Sequence, residues 1–107
     1  MTDPAVPVSI DIDQQDGRTV VVVGGEIDTA TSSELERRLM GALDGADGDL
    51  ALDLSEVGFL DSSGLRTLLV AQQAVAATGH RVVLVGSTPM VDRLLEVTGL
   101  RDLFPTA

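Results

Sequence analysis

Several kinds of reactive side chain are missing from this sequence, and each absence excludes a class of functional site. The chain has no cysteine, so it can form no disulfide, no thiolate zinc site and no cysteine nucleophile. It also has no lysine, which excludes a P-loop lysine and a Schiff-base lysine. His80 is the only histidine, so a multi-histidine metal site is impossible, and beside Gly79 we expect it to be a solvated loop residue. We therefore expect neither a metal site nor a cofactor.

Long apolar runs and an excess of positive charge are absent as well. No run approaches the roughly 20 apolar residues that a membrane-spanning helix needs. The first seven residues carry no basic charge, unlike a signal peptide. The net charge of −10 disfavours nucleic acid and anionic membrane surfaces, which bind mainly to Lys and Arg, and fits a partner with a basic surface. We expect a cytoplasmic protein that binds neither nucleic acid nor membrane.

What the sequence does contain is typical of a single globular domain. Its 107 residues, 44 % of them apolar, suffice for one core, and no linker or internal repeat divides residues 1–107. Apolar and polar residues alternate from Val8, which predicts a half-buried strand. An Asp16-Gly17 turn joins it to a β-branched strand over residues 19–23, which Gly24-Gly25 is expected to end.

Helices and strands alternate in the rest of the chain. The pattern predicts, in order, a helix from Thr31, a strand over residues 50–54, a helix over about 63–78, a central strand over 81–85 and a helix over about 89–99. Thr31 and Glu34 match a capping box at the start of the first helix. The second helix has a predicted inner stripe of Leu65, Leu68, Leu69, Gln72, Val75 and Ala76. These elements predict an α/β fold in which helices pack on a mixed β-sheet of about four strands.

One polar cluster, Asp61-Ser62-Ser63-Gly64, interrupts a strongly hydrophobic region at the predicted start of the second helix. It has two interpretations. Asp and Ser are preferred N-cap residues and the glycine eases a tight entry of the chain, so the cluster is typical of plain capping. A serine hydroxyl at this position is also accessible to a phosphoryl donor. Phosphorylation would add about −1.5 to −2 charges where the helix dipole tolerates them.

Two catalytic interpretations of this region fail on the residues present. A nucleophile elbow needs glycine two residues before the serine, where this chain has Leu60 and Asp61. The only possible base, His80, follows the far end of a helix about 22 Å long. A receiver domain with Asp53 as its phosphate acceptor would need a lysine, which this chain lacks. We therefore expect a binding protein and not an enzyme.

Two segments resemble the STAS domain family. Gly25-Glu26-Ile27-Asp28 is similar to the family's Gly-Glu-Leu-Asp stretch. Phe59-Leu60-Asp61-Ser62-Ser63-Gly64-Leu65 is similar to the segment that carries the phosphorylated serine in bacterial anti-sigma factor antagonists. The resemblance implies that the unphosphorylated protein binds an anti-sigma factor serine kinase and so releases a sigma factor. It also implies that phosphorylation ends the binding and that a phosphoserine phosphatase reverses it. A STAS module that does not switch, as a complex subunit or a nucleotide or lipid binder, is the alternative.

The resemblance also assigns roles to individual residues. By motif position Ser62 is the phosphate acceptor, with Ser63 as the alternative. Asp28 matches a family aspartate associated with partner binding, and Asp61 flanks the acceptor. From the residues alone, Asp28 can equally be a turn or cap residue before the first helix.

The second helix contributes the remaining residues of the predicted docking surface. Arg66 and Val70 lie on the side of the helical wheel that faces away from the inner stripe. Arg66 can also be no more than a solvated charge. We expect both residues, together with Ser63 and Gly64 at the start of the helix, to belong to the surface that binds the partner.

Overall fold

The computed structural model describes residues 8–106, so the expectation about the first seven residues lies outside it. The elements in chain order are β1 (Ser9–Gln15), β2 (Arg18–Ile27), α1 (Ser32–Leu43), β3 (Leu50–Leu60), α2 (Ser62–Ala76), β4 (Val82–Gly86), α3 (Pro89–Val97) and a 3₁₀ turn, η1 (Arg101–Leu103). The predicted order of strands and helices is confirmed.

The four strands form one mixed sheet in the order β1-β2-β3-β4. β1 and β2 are antiparallel, and in the turn between them Asp16 and Gly17 both have positive φ, 50° and 79°. β2, β3 and β4 are parallel neighbours, so α1 and α2 are the crossover connections between them. The predicted mixed sheet with helices packed on it is confirmed.

One face of the sheet carries the hydrophobic core. Val21, Leu52 and Leu84 are partners in the registers of β2, β3 and β4, so they point to the same face, and all three are buried. They belong to one cluster with side chains from the three helices, among them Leu35, Leu39, Leu68 and Leu95. Burial of each such side chain contributes about 1.5–3 kcal/mol, which makes this face the main source of stability.

β2 and β3 both run further than the sequence pattern indicated. Gly24 and Gly25 do not end β2, which continues to Ile27, and β3 continues past Leu54 to Leu60. The register between the two strands shifts twice beside the glycines, and such bulges let a strand bend without ending. The two strands therefore end side by side, which brings the loops that follow them to one edge of the sheet.

β4 is an edge strand, although its apolar sequence predicted a central one. Its apolar character comes from the core, because Val82 and Leu84 are buried while Val85 is exposed. Pro105 and Thr106 occupy part of the free edge of β4. The Leu84 N–H donates to the Pro105 carbonyl at 2.7 Å, and Leu84 pairs with Thr106. A run of apolar residues therefore did not distinguish a central strand from an edge strand that is covered in this way.

The predicted capping box at the start of α1 is wrong. Thr31 is the N-cap residue, but its side chain makes no capping hydrogen bond. Its hydroxyl donates instead to the carbonyl of Glu26 at 2.7 Å, which ties the start of the helix to the end of β2. The nearby strand end competes successfully for a hydroxyl that local sequence assigned to the helix.

The inner stripe of α2 also differs in part from the prediction. Leu65, Leu68 and Val75 are buried as expected, whereas Ala76 is exposed. Ala71 is buried instead, because positions three and four residues apart share one face of a helix and the stripe passes from Leu68 through Ala71 to Val75.

Candidate functional site

The two segments that carry the family resemblance meet at one edge of the sheet. Ile27 and Leu60 are the last paired residues of β2 and β3, and the Asp61 N–H donates to the Ile27 carbonyl at 3.2 Å. The loop that begins at Asp28 therefore lies beside the loop that begins at Asp61. In open α/β sheets the carboxyl ends of parallel strands are where binding sites form.

Asp61 is the N-cap of α2, which confirms its capping role. Its Oδ1 atom accepts hydrogen bonds from the N–H groups of Ser63 and Gly64, at 2.9 and 3.2 Å, and from the Ser63 hydroxyl at 2.6 Å. The Ser63 hydroxyl and then the backbone N–H groups stabilise the ionised form, so the pKa of Asp61 lies below its usual value. The site therefore keeps a fixed negative charge at the helix start.

The two serines of the cluster differ in what surrounds their hydroxyl groups. Ser62 is the first residue of α2 and is exposed, and its hydroxyl makes no hydrogen bond within residues 8–106. Ser63 is half-buried, and its hydroxyl is held by Asp61. Of the two hydroxyl groups, only that of Ser62 is presented outward without an internal partner.

Gly64 is buried directly beneath this loop. A Cβ atom at its position would come within 2.6 Å of the Ile27 Cγ2 atom and would also collide with Leu60 Cδ1. A residue without a side chain is therefore what allows α2 to start so close to the strand ends. Gly64 shapes the surface from below, and a direct contact with a partner stays a prediction.

Asp28 builds the neighbouring loop. Its Oδ1 atom accepts hydrogen bonds from the N–H groups of Ala30 and Thr31, at 2.9 and 3.1 Å. The interpretation of Asp28 as a turn residue before α1 is therefore confirmed. Asp28 is half-buried, and its second carboxylate oxygen accepts no hydrogen bond within the described residues, so that oxygen is still available.

Thr67 connects the two loops, which the sequence did not reveal. It is only 3 % exposed, and its hydroxyl lies 3.2 Å from the Ser63 carbonyl and 3.4 Å from the Ser32 carbonyl. The first turn of α2 is thereby linked to the first turn of α1. In the sequence, Thr67 is only a polar residue one helical turn after the polar cluster. Polar residues at this spacing also occur on solvent-exposed faces of helices, so the sequence did not indicate its role.

The outer side of α2 continues the surface away from Ser62. Arg66 is exposed and forms no ion pair within residues 8–106. Val70, one turn further along, is half-buried and lies outside the hydrophobic core cluster. Both predicted docking residues therefore lie at the surface, on the helix that begins at the candidate acceptor.

An apolar surface that the sequence pattern missed lies on the other side of the loop. We call it the Phe59 patch; it is a groove lined mainly by Phe59, Leu60, Met90, Leu94 and Val97. Phe59 is 47 % exposed and Val97 is 71 % exposed. Since Phe59 and Leu60 immediately precede Asp61, the patch is continuous with the polar cluster.

His80 lies beyond the far end of α2, so it is remote from both serines. Its ring is not freely solvated, in contrast to the prediction. Its Nε2 atom is 3.0 Å from Asp47 Oδ1, its Nδ1 atom is 3.5 Å from Asp49 Oδ1, and the side chain is 31 % exposed. Within residues 8–106, no group of three or more His, Asp or Glu side chains is arranged to hold a metal ion. Among the helices of the same range, none is both long and apolar enough to cross a membrane.

The fold and the two motif segments define a member of a known family. The model of the STAS domain family matches residues 9–107, and the chain belongs to this family. The resemblance drawn from the sequence is therefore confirmed.

Several similar proteins are named as anti-sigma factor antagonists. The anti-sigma-B factor antagonist of Staphylococcus aureus is 32 % identical over 96 residues, which cover 90 % of this chain and 89 % of the relative. The crystal structure of an anti-sigma factor antagonist from Mycobacterium paratuberculosis is 34 % identical, with 92 % of this chain and 84 % of that chain covered and a TM-score of 0.79. The phosphorylated form of the Bacillus cell fate determinant SpoIIAA superposes with a TM-score of 0.72, covering 92 % and 91 % of the two chains. At 20 % identity that likeness shows the fold alone.

Proposed function

We propose that this chain is an anti-sigma factor antagonist that acts in the cytoplasm and is switched by phosphorylation of Ser62. The unphosphorylated form binds a kinase-type anti-sigma factor and thereby releases a sigma factor. Phosphorylation ends that binding, and a phosphoserine phosphatase restores it. The exposed hydroxyl of Ser62, beside the fixed charge of Asp61, is the observation that carries this proposal. The names of the relatives above 30 % identity support the antagonist function.

The chemical step needs nothing from this chain except an accessible nucleophile. The Ser62 Oγ atom attacks the γ-phosphorus of a nucleoside triphosphate bound by the partner. The new Oγ–P bond replaces the bond to the leaving diphosphate, and the hydroxyl proton passes to a base on the partner. The product is a phosphate of about −1.5 to −2 charges at the first turn of α2, where the helix dipole favours negative charge. The fold therefore tolerates a modification that the bound partner does not.

The new charge is large enough to end binding without a change of shape. A phosphate charge about 4 Å from a partner carboxylate would cost about 4 kcal/mol at an effective dielectric constant of about 20. Since each 1.4 kcal/mol corresponds to about a factor of ten, the affinity would fall about a thousandfold. Repulsion between the phosphate and a single partner carboxylate at this distance would therefore be a sufficient switch, even if the rest of the partner surface is basic.

The surfaces on both sides of the loop suit a protein partner. The Phe59 patch supplies an exposed aromatic ring and aliphatic side chains, which are typical anchors of protein interfaces. The outer side of α2 adds Arg66 and Val70. We propose that the anti-sigma factor spans the loop and contacts both surfaces, so that Ser62 lies inside the interface.

The first experiment maps phosphorylation on the protein purified from its native host with its partners retained. We expect a single phosphate on Ser62 and copurification of a kinase-type anti-sigma factor with the unmodified form only. Ser62→Glu should weaken that copurification, whereas Ser62→Ala should bind and stay unphosphorylated. Ser33→Glu is the matched control, because Ser33 is also an exposed serine in the first turn of a helix. Absence of phosphate from Ser62 under every growth condition, with no kinase copurifying, would remove the switch from the proposal.

One observation favours a second candidate, a STAS module that does not switch. The Asp61 side chain accepts hydrogen bonds from the N–H groups of Ser63 and Gly64 at the start of α2, so the polar cluster has a capping role without any phosphate. In that case the Ser62→Glu and Ser33→Glu variants would bind the same partners equally well. The paired comparison therefore separates the two candidates.

A further inference from the structure

We propose that Asp61 decides which of the two adjacent serines is phosphorylated, because it holds the hydroxyl of Ser63 inside the cap. This inference rests on the proposed function, since it concerns the choice of acceptor within the same site. It makes Asp61 a specificity-determining residue in addition to an N-cap residue.

Two hydrogen bonds join Ser63 to a single carboxylate oxygen of Asp61. Its hydroxyl and its own N–H both donate to the Oδ1 atom of Asp61, at 2.6 and 2.9 Å. A hydrogen bond of this length to a carboxylate belongs to the strong, charge-assisted class. The Ser63 carbonyl accepts in turn from the buried hydroxyl of Thr67 at 3.2 Å. For the Ser63 oxygen to reach a phosphoryl donor, its hydroxyl must break the hydrogen bond to Asp61 and the side chain must turn outward.

Ser62 has no such restraint. It is exposed, and within residues 8–106 its hydroxyl has no hydrogen-bond partner to give up. In-line attack on a phosphorus atom requires an oxygen that is free to approach it. Two serines that are equivalent by residue type and adjacent in the chain are therefore unequal as nucleophiles.

The carboxylate does not act as a base that would activate Ser63. A general base is most effective when its pKa lies near the working pH. Hydrogen bonds from Ser63 and Gly64 hold the pKa of Asp61 below the usual value of an aspartate. Such a carboxylate accepts the hydroxyl proton as a hydrogen bond but is a poor acceptor of the proton itself. A phosphate on Ser63 would also face the Asp61 charge in place of a hydrogen bond.

The test compares phosphate positions in five variants of the full chain produced in the native host: Ser62→Ala, Asp61→Ala, Asp61→Asn, and two double variants that combine Ser62→Ala with Asp61→Ala or with Asp61→Asn. Tandem mass spectrometry measures the phosphate on each serine. We expect Ser62→Ala to leave Ser63 essentially unmodified. The double variant of Ser62→Ala with Asp61→Ala should raise the phosphate on Ser63 about tenfold to a hundredfold over Ser62→Ala alone, the equivalent of losing one hydrogen bond to a charged group. Asp61→Asn keeps a neutral cap acceptor and should give an intermediate increase when Ser62 is also replaced by alanine.

The contrary outcomes are distinct from one another. Efficient phosphorylation of Ser63 in Ser62→Ala would overturn the inference, because Asp61 would not be protecting that hydroxyl. It would also be overturned if Asp61→Ala and Asp61→Asn carried no phosphate on either serine, since Asp61 would then be required by the kinase. A wild-type chain without phosphate on either serine would instead refute the proposed function. Circular dichroism of each variant excludes unfolding as the cause of a lost signal.

Discussion

Gly64 allows a quantitative test of how tightly the candidate site is packed against the sheet. In Gly64→Ala the new methyl group would lie within 2.6 Å of Ile27 Cγ2 and would also collide with Leu60. Forcing an extra methyl group into a packed core costs about 1–3 kcal/mol. Alanine recovers at most about 1 kcal/mol over glycine in a helix. With that gain subtracted, we expect a net loss of up to about 2 kcal/mol in the free energy of unfolding.

Urea unfolding of the wild type and the variant at one pH measures this difference. Each 1 kcal/mol corresponds to about 4–8 °C in Tm for a domain near this size, so thermal melting gives a second estimate. Gly41→Ala is the matched control, because Gly41 lies inside α1 and a Cβ atom there would meet nothing within 4 Å. That variant should be more stable by up to about 1 kcal/mol. If Gly64→Ala were as stable as Gly41→Ala, the close approach of α2 to the strand ends would be refuted.

Three further predictions concern the surroundings of the same loop. Thr67→Val keeps the shape of the side chain but removes the hydroxyl between the Ser63 and Ser32 carbonyls, so the free energy of unfolding should fall by about 1 kcal/mol. Thr67→Ser keeps that hydroxyl and should be more stable than Thr67→Val. The pKa of Asp61 is lowered in the fold, so its ionised form stabilises the protein above the unfolded pKa of about 4, and this contribution disappears as the pH falls through the folded pKa. The stability difference between wild type and Asp61→Asn should therefore be constant near neutral pH and shrink below about pH 4; a constant difference down to pH 2 would contradict it. Val70→Asp and Val97→Asp should each weaken binding of the anti-sigma factor in a pull-down while leaving Tm unchanged, and a large fall in Tm would show that the side chain belongs to the core.

The order and type of the elements followed from local patterns, and the ends of the strands did not. Leucines at strand spacing and at helical spacing identified β3 and α1 because each pattern is read within one segment. The bulges beside Gly24 and Gly25 depend on how β2 pairs with β3, so no local pattern showed that β2 reaches Ile27. The position of β4 at the edge is likewise set by strand pairing and by the contact of Thr106 with Leu84.

The polar cluster of the candidate site was predictable from the sequence, but the differences within it and the apolar surface beside it were not. The motif identified the polar cluster, and the capping role of Asp61 followed from residue type. The unequal states of Ser62 and Ser63 depend on which hydroxyl points back toward Asp61, a matter of side-chain direction that spacing does not carry. The Phe59 patch depends on α3 packing beside the end of β3, a long-range contact that joins residues about 30 positions apart in the chain.

The hydrogen bond from the Asp61 N–H to the Ile27 carbonyl has a consequence for how the protein meets a partner. Both loops leave the sheet directly from paired strand ends and enter helices within a few residues. Each loop therefore has little conformational freedom to lose when a partner binds. Binding to such a preorganised surface avoids most of the entropy loss that flexible loops incur when they become ordered. A surface of this kind can respond to a single added charge, because little of the binding free energy is used to order the loops.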